Sequence, residues 1–236
     1  MSDIFQDPAA LDWPQLGASL DLQGFAETGP LLSPGEADAM RALYAAPDLF
    51  RSHVVMKRHG FGEGEYKYFD YPMPDGIARL RRDFYFHLAP IANRWAEQMG
   101  HEQRYPATHD AMLARCHGDG QTRPTPLLLK YGPGDYNCLH QDVYGAQVFP
   151  IQLAILLSEP GEEFEGGEFV LTEQRPRMQS KVEVVPLRKG HGVLFAVSQR
   201  PKQGTRGTYR VNQRHGVSRV RAGARTTLGI IFHDAA

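Results

Sequence analysis

In the stretch NCLHQDVYG, residues 137–145, a histidine and an aspartate stand one residue apart. On a β-strand, side chains two positions apart project to the same side. His140 and Asp142 would then present an imidazole and a carboxylate together, with Gln141 on the opposite face. A second histidine, His215, follows 73 residues after Asp142 in VNQRHGV. Two imidazoles and one carboxylate form a three-point face that suits non-haem Fe(II), because it leaves coordination positions open. Zinc accepts the same donors, so ligand type alone does not name the metal. Arg225, ten residues after His215, separates the two readings. A guanidinium pairs with a carboxylate through two parallel N–H bonds. Set at the start of RTTLGIIFH, it suits a cosubstrate that chelates the metal at one end and carries a carboxylate at the other.

These residues need a frame, and the chain changes character near residue 122. In SPGE, Ser33 can cap a helix, Pro34 suits its first position and Glu36 completes a capping box. A longer helix is expected over Ile77–Met99, with a kink at Pro90, and a third over His109–Cys116. Between the first two lies VVMKRHGFGEGEYKYFDYPMP, rich in glycine and aromatic residues, which reads as a hairpin or flap. Its GFGEG does not follow a strand and open a helix, so it is a poor phosphate loop and a better mobile lid. After TRPTP come LLLKY, QVFPIQLAILLS, EFVLTE, KVEVV, GVLFAV, TYRVNQRHGV and RTTLGIIFH. Short strands separated by turn signals suggest an antiparallel sandwich or barrel. The expected layout is one integrated α+β domain. Residues 1–121 form a helical support with a flap at 54–73, and residues 122–236 form the β core.

The composition excludes several classes. The 236 residues are 42% hydrophobic and 22% charged, enough for a sizeable core. No run of about 20 apolar residues offers a membrane span. Two cysteines, Cys116 and Cys138, with no CxxC, argue against a disulfide framework or a structural zinc site. With an acidic, non-apolar start, the plain expectation is a cytoplasmic protein. The net charge of −1 hides an uneven distribution: residues 188–225 hold ten Lys and Arg and no acid. Either these cations pair with the acidic remainder, or they face an anionic partner. Arg200 and Lys202, in the turn-like SQRPKQG, are the expected exposed members.

Together, HxD, the distal His215 and the spaced Arg225 resemble the Fe(II)/2-oxoglutarate-dependent dioxygenases, in the spacing of the prolyl 4-hydroxylase type. GGEFVL and GHGVLF are similar to the middle strands of that type, and the resemblance runs from Leu127 to His233. It implies a double-stranded β-helix (jelly-roll) core, with His140, Asp142 and His215 as catalytic metal ligands for Fe(II). It also implies 2-oxoglutarate and dioxygen as cosubstrates, with Arg225 on the far carboxylate. Gln152 lies where that type places a polar cosubstrate contact. The run YGPGDYNCLHQD also resembles the alkylated-base repair dioxygenases of the AlkB type, and by that match Tyr131 touches 2-oxoglutarate. The chain departs from that type at Leu129, where an asparagine is usual, and lacks the arginine pair far beyond the distal histidine.

Two substrate classes follow: single-stranded or damaged nucleic acid bearing alkylated bases, or a protein or amino acid in the manner of a prolyl hydroxylase. In the first, Phe61, Tyr66, Tyr68 and Phe69 could stack on a base. A barrel that only holds a ligand is the non-enzymatic reading, and a complete triad weighs against it. The remaining histidines have no partner pattern, His191 and His233 being the closest rivals, and Cys138 reads as a packing residue.

Overall fold

The computed structural model describes residues 5–175, 177–205 and 207–236. Helix α1 (Trp13–Gln23) leads into strand β1 (Phe25–Pro30), and α2 (Pro34–Ala42) follows. The expected capping box is formed: Glu36 N–H donates to the Ser33 hydroxyl, and Ser33 N–H donates to the Glu36 carboxylate. Next come β2 (Phe50–Val55), a 3-10 turn at Met56–His59, β3 (Gly62–Glu63) and β4 (Glu65–Phe69). Helices α3 (Asp75–Gln98) and α4 (His109–Gly118) complete this half. α3 continues through Pro90, the expected site of a kink. Pro90 and Phe86, whose carbonyl loses its helical donor, both lie on the solvent face, where that carbonyl is open to water.

The strands of the second half are β5 (Leu127–Tyr131), β6 (Tyr136–His140), β7 (Ile151–Leu156), β8 (Phe164–Gly166), β9 (Phe169–Gln174) and β10 (Lys181–Val185). They continue as β11 (His191–Ala196), β12 (Gln199–Gly204), β13 (Gly207–Val217), β14 (Val220–Gly223) and β15 (Arg225–Ile230). Two antiparallel sheets carry the fold. The major sheet has the order β1-β11-β7-β15-β5-β4-β2, and the minor sheet β10-β9-β13-β6-β3, with β12 on β13. The strand order jumps repeatedly along the chain, so the two sheets form the jelly-roll sandwich the sequence implied. The region before residue 122 gives more than helices: β1 and β4 extend the major sheet on both sides, and β3 extends the minor one.

Alternation of side chains assigns the two faces of the major sheet. Its outer face packs Leu128, Leu153, Ile155, Leu228 and Ile230 with the buried stripe of α3, including Ile77, Leu80, Phe84, Leu88 and Trp95. Those α3 positions recur at helical spacing, and each such side chain, fully buried, contributes roughly 1.5–3 kcal/mol. The last residues are sewn to the same layer. Arg81 of α3 and Asp234 form an ion pair at 2.8 Å with neither side chain exposed, and Tyr71 and His117 also hydrogen-bond the Asp234 carboxylate. With its outer face sealed by helices, the sheet presents its inner face to the minor sheet, and the site lies between them.

Candidate metal centre and cosubstrate pocket

His140 and His215 stand directly opposite each other on β6 and β13. Their ring centroids are 4.2 Å apart. β6 ends at His140, so Asp142 lies just beyond the strand rather than on it, as alternation had suggested. The turn still brings its carboxylate back: Oδ1 is 3.4 Å from His140 Nε2, and Oδ2 is 3.3 Å from His215 Nε2. The three ligand atoms all lie within 4.8 Å of one another. Burial raises the proton affinity of Asp142, but hydrogen bonds from both imidazoles outweigh it and hold the carboxyl well below its usual range.

The neighbours prepare these donors. His140 Nδ1 lies 2.7 Å from the Cys138 carbonyl oxygen. A carbonyl only accepts, so Nδ1 carries a proton, and Nε2, which faces Asp142 in the metal-free chain, is the nitrogen that would give up its proton to a metal. Tyr144 donates its hydroxyl to Asp142 Oδ1 at 2.6 Å, which occupies that oxygen and leaves Oδ2 as the freer donor. His215 is packed against Phe195 and Phe169, at 4.7 and 6.1 Å between centroids, and its Nδ1 is buried without a partner. Two neutral imidazole nitrogens and one carboxylate on one side fit a facial Fe(II) site.

The inner face of the major sheet forms the opposite wall. Arg225 and Tyr131 are cross-strand partners on β15 and β5, so their side chains share a face. Next in register on that face come Leu129 and Tyr66, then Leu127 and Tyr68. Arg225 is 2% exposed, its guanidinium lies 5.5 Å from the Tyr131 ring centroid, and it donates to Thr227 Oγ1 at 2.6 Å. Its Nε has no partner, and neither has Gln152 Nε2, although both are buried. Burial pushes the Arg225 pKa down to about 10, with Tyr131 and Glu168 opposing the shift. All six expected residues line one cavity of about 370 Å³, of the size usual for small-molecule sites. Among the described residues, Asp142 is the only acid that lines it and Arg225 the only Lys or Arg. A buried cation whose Nε has no partner, and which forms no ion pair among the described residues, fits a carboxylate-bearing cosubstrate.

Thr227, Tyr144 and Asn137 were not anticipated. Thr227 lies two residues after Arg225 on β15, so the same alternation argument could have found it, whereas Tyr144 lies beyond β6, where alternation does not apply. Asn137 Nδ2 reaches the Tyr131 hydroxyl at 3.4 Å. His191 and His233 stand apart from the cluster: His233 is fully buried, and its Nδ1 accepts the Phe149 N–H. The glycine flap is knitted down. β3 pairs with β6, Cys138 N–H donates to the Phe61 carbonyl, and a Cβ on Gly62 would lie 2.3 Å from the Tyr136 carbonyl oxygen. Phe69 is fully buried in the core, away from any role in stacking on a base.

The long basic stretch is largely consumed by the fold. SQRPKQG is strand β12 rather than an exposed turn, and Arg200 is fully buried. Arg200 and Lys202 both pair with Glu173, Lys189 with Asp38 and Glu163, and Arg221 lies 3.7 Å from Glu168. Arg210 donates to the Met99 carbonyl and Arg219 to that of Gly134. Arg206 lies outside the described residues, while Arg188 and Arg214 are exposed.

Comparison with known proteins gives the family and the fold. Residues 64–235 match the model of the Oxygenase-NA family, described as oxygenases catalysing oxidative methylation of damaged DNA. An uncharacterised protein of Mycobacterium tuberculosis is 48% identical over 168 residues, 71% of this chain and 72% of that protein. Among solved structures, an oxidoreductase of the 2OG-Fe(II) oxygenase family from Burkholderia pseudomallei superposes with a TM-score of 0.57 at 18% identity, covering 95% of this chain and 93% of that one. A Pseudomonas putida prolyl-4-hydroxylase gives 0.51 at 14% identity, covering 92% and 96%. At these identities the structural likeness speaks for the shared fold. Among the described residues, no helix is long and apolar enough to cross a membrane.

Proposed function

We propose, from the premise that this chain belongs to the Oxygenase-NA family, that it oxidises methyl groups on damaged nucleic-acid bases. The chain is a 2-oxoglutarate/Fe(II) oxygenase, and Fe(II), 2-oxoglutarate and dioxygen are its cofactor and cosubstrates. When bound, they supply an oxidant strong enough for a C–H bond. An oxidant acts on a methyl group already present, so we read the reaction as oxidation of a methylated base. A hydroxylated N-methyl group leaves as formaldehyde.

The chain's own part is binding, orientation and exclusion of water. His140 Nε2, the Asp142 carboxylate and His215 Nε2 would hold the metal, with the Cys138 carbonyl and the Tyr144 hydroxyl orienting the imidazole and the carboxylate. Arg225, placed by Thr227, takes the distal carboxylate of the cosubstrate, with Tyr131 and Gln152 beside it. Tyr66, Tyr68 and Phe61 wall the approach to the triad. A base must leave its stack, or come from a single strand, to enter such a cavity. The single observation that carries this reading is that aromatic-walled cavity, whose only lining acid among the described residues is a metal ligand. Unpaired Cys116 and Cys138 suit a reducing cytoplasm.

The test is incubation of the iron-loaded protein with 2-oxoglutarate, oxygen and methylated single-stranded DNA. Succinate and formaldehyde should form in equal amounts, with loss of the base methyl group by mass spectrometry. Oxygen incorporation into a proline-containing peptide, with methylated DNA untouched, would overturn the substrate and favour the prolyl-type reading.

A further inference from the structure

With the residues of the 188–225 stretch mostly committed to the fold, cations elsewhere must meet an anionic substrate. Lys57, Arg58 and His59 form the 3-10 turn between β2 and β3, and all three are exposed. The turn is held from below. Met56 is fully buried, its N–H donates to the Gly64 carbonyl, and its own carbonyl accepts from the Gly60 and Phe61 N–H groups. Gly60 closes the turn at a φ of 72°, a conformation that favours glycine. Phe61 follows, tied by its carbonyl to Cys138 N–H, two residues before the metal ligand His140. Its ring is 49% exposed and stacks on His59, with centroids 5.3 Å apart and planes 20° from parallel.

Gly60 and Phe61 line the cavity and are also exposed, so the turn lies at its rim. Glu63 pairs with Lys57 at 3.4 Å; the lysine side chain is 75% exposed, and the half-buried carboxylate is still open to solvent. Such a pair in water contributes little, so phosphate oxygens can replace it. We infer that this rim is the docking surface for a single nucleic-acid strand, with Lys57 and Arg58 on consecutive phosphates and an unpaired base on the Phe61–His59 stack. The inference rests on the methylated-base reading. A single strand is favoured over an acidic peptide because cations and a stacked aromatic platform stand side by side at the opening. That is the pairing a strand needs for its backbone and its bases.

The experiment is fluorescence anisotropy of a labelled oligonucleotide carrying one methylated adenine, across a salt series. The protein is loaded with Mn(II) and 2-oxoglutarate under anaerobic conditions. The double variant K57E/R58E should bind more weakly and flatten the log–log salt slope by about 1.4, at roughly 0.7 for each lost single-strand phosphate contact. F61A should weaken binding roughly fivefold to a hundredfold through the lost stack. R188E, a change to an exposed arginine of the long basic stretch, should leave the slope unchanged. 2-Oxoglutarate affinity should persist in K57E/R58E, which shows that the pocket is intact. If the unaltered protein binds the strand and K57E/R58E retains its affinity and slope, the rim is not the docking surface, while the nucleic-acid reading stands. If the unaltered protein binds no strand even at low salt, that reading fails, and this inference with it.

Discussion

Arg225→Met separates a cosubstrate anchor from a structural arginine, because the two roles move stability and affinity in opposite directions. Arg225 is 2% exposed, bonds Thr227, and has a buried Nε without a partner. Burial lowers its pKa from 12.5 to about 10, which corresponds to roughly 3 kcal/mol against the charged form in the unliganded protein. Methionine fills similar space without charge, and replacing a poorly paired buried charge by an apolar side chain is often neutral or stabilising. The unliganded variant should therefore unfold at the same denaturant concentration as the parent, or higher. A carboxylate that docks on the guanidinium loses a charge-assisted bidentate pair, which costs about 2–5 kcal/mol. The dissociation constant for 2-oxoglutarate should rise by about thirtyfold to a few thousandfold, while metal affinity is retained. Calorimetric titration of the Mn(II)-loaded protein with 2-oxoglutarate, beside urea denaturation of the unliganded protein, reads both quantities. Unchanged 2-oxoglutarate affinity, or a loss of stability that accounts for the binding defect, would refute the anchor.

Two further changes probe the surroundings. Tyr144→Phe removes the hydroxyl donated to Asp142 Oδ1 but keeps the ring. Metal affinity should fall by about ten- to a hundredfold in a competitive metal titration, with the urea midpoint unchanged. Asp234→Ala leaves the fully buried Arg81 without its carboxylate and should cost about 3–5 kcal/mol at neutral pH. Burial raises the Asp234 pKa, but Arg81 and the hydrogen bonds from His117, Arg81 and Tyr71 outweigh it, so the net shift is downward. A depressed carboxyl stabilises the fold above its unfolded value of about 3.9 and loses that contribution as pH falls through the folded value. The stability gap between parent and variant should therefore be full at pH 7 and shrink below about pH 4, as read by urea denaturation at each pH.

The site was legible where chemistry depends on residue type and on short spacing. His140 shows itself through a strand's alternation and Arg225 through its ten-residue distance from His215, both local properties, while His215 itself stands 73 residues beyond Asp142 and is read from the pattern of the whole set. Asp142 was found by the same alternation, though for an imperfect reason: β6 ends at His140, and the turn after it returns the carboxylate. What escaped was set by partners distant in sequence. FAETGP, with its Gly and Pro, looks like a turn, yet it becomes β1 because β11 offers it an open edge. SQRPKQG has turn composition, yet pairing with β13 and the Glu173 carboxylate makes it a strand with a buried arginine. The glycines of the flap suggest a mobile lid, and at 62 and 64 a close approach to Tyr136 and Tyr131 also requires glycine. Composition near residue 188 suggested a basic face, and only the three-dimensional pairing shows where those charges are used.

One metal held by His140, Asp142 and His215, with 2-oxoglutarate beside it, is the centre of the proposed chemistry. The direct measurement is anaerobic titration of the metal-free protein with Fe(II) in the presence of 2-oxoglutarate, followed by the visible charge-transfer absorption of the ternary complex. One iron per chain should develop the band. His140→Ala and His215→Ala should each abolish it while remaining folded by circular dichroism. A band of full intensity at unchanged stoichiometry in either folded variant would contradict the ligand assignment, and with it the chemistry proposed for this cavity.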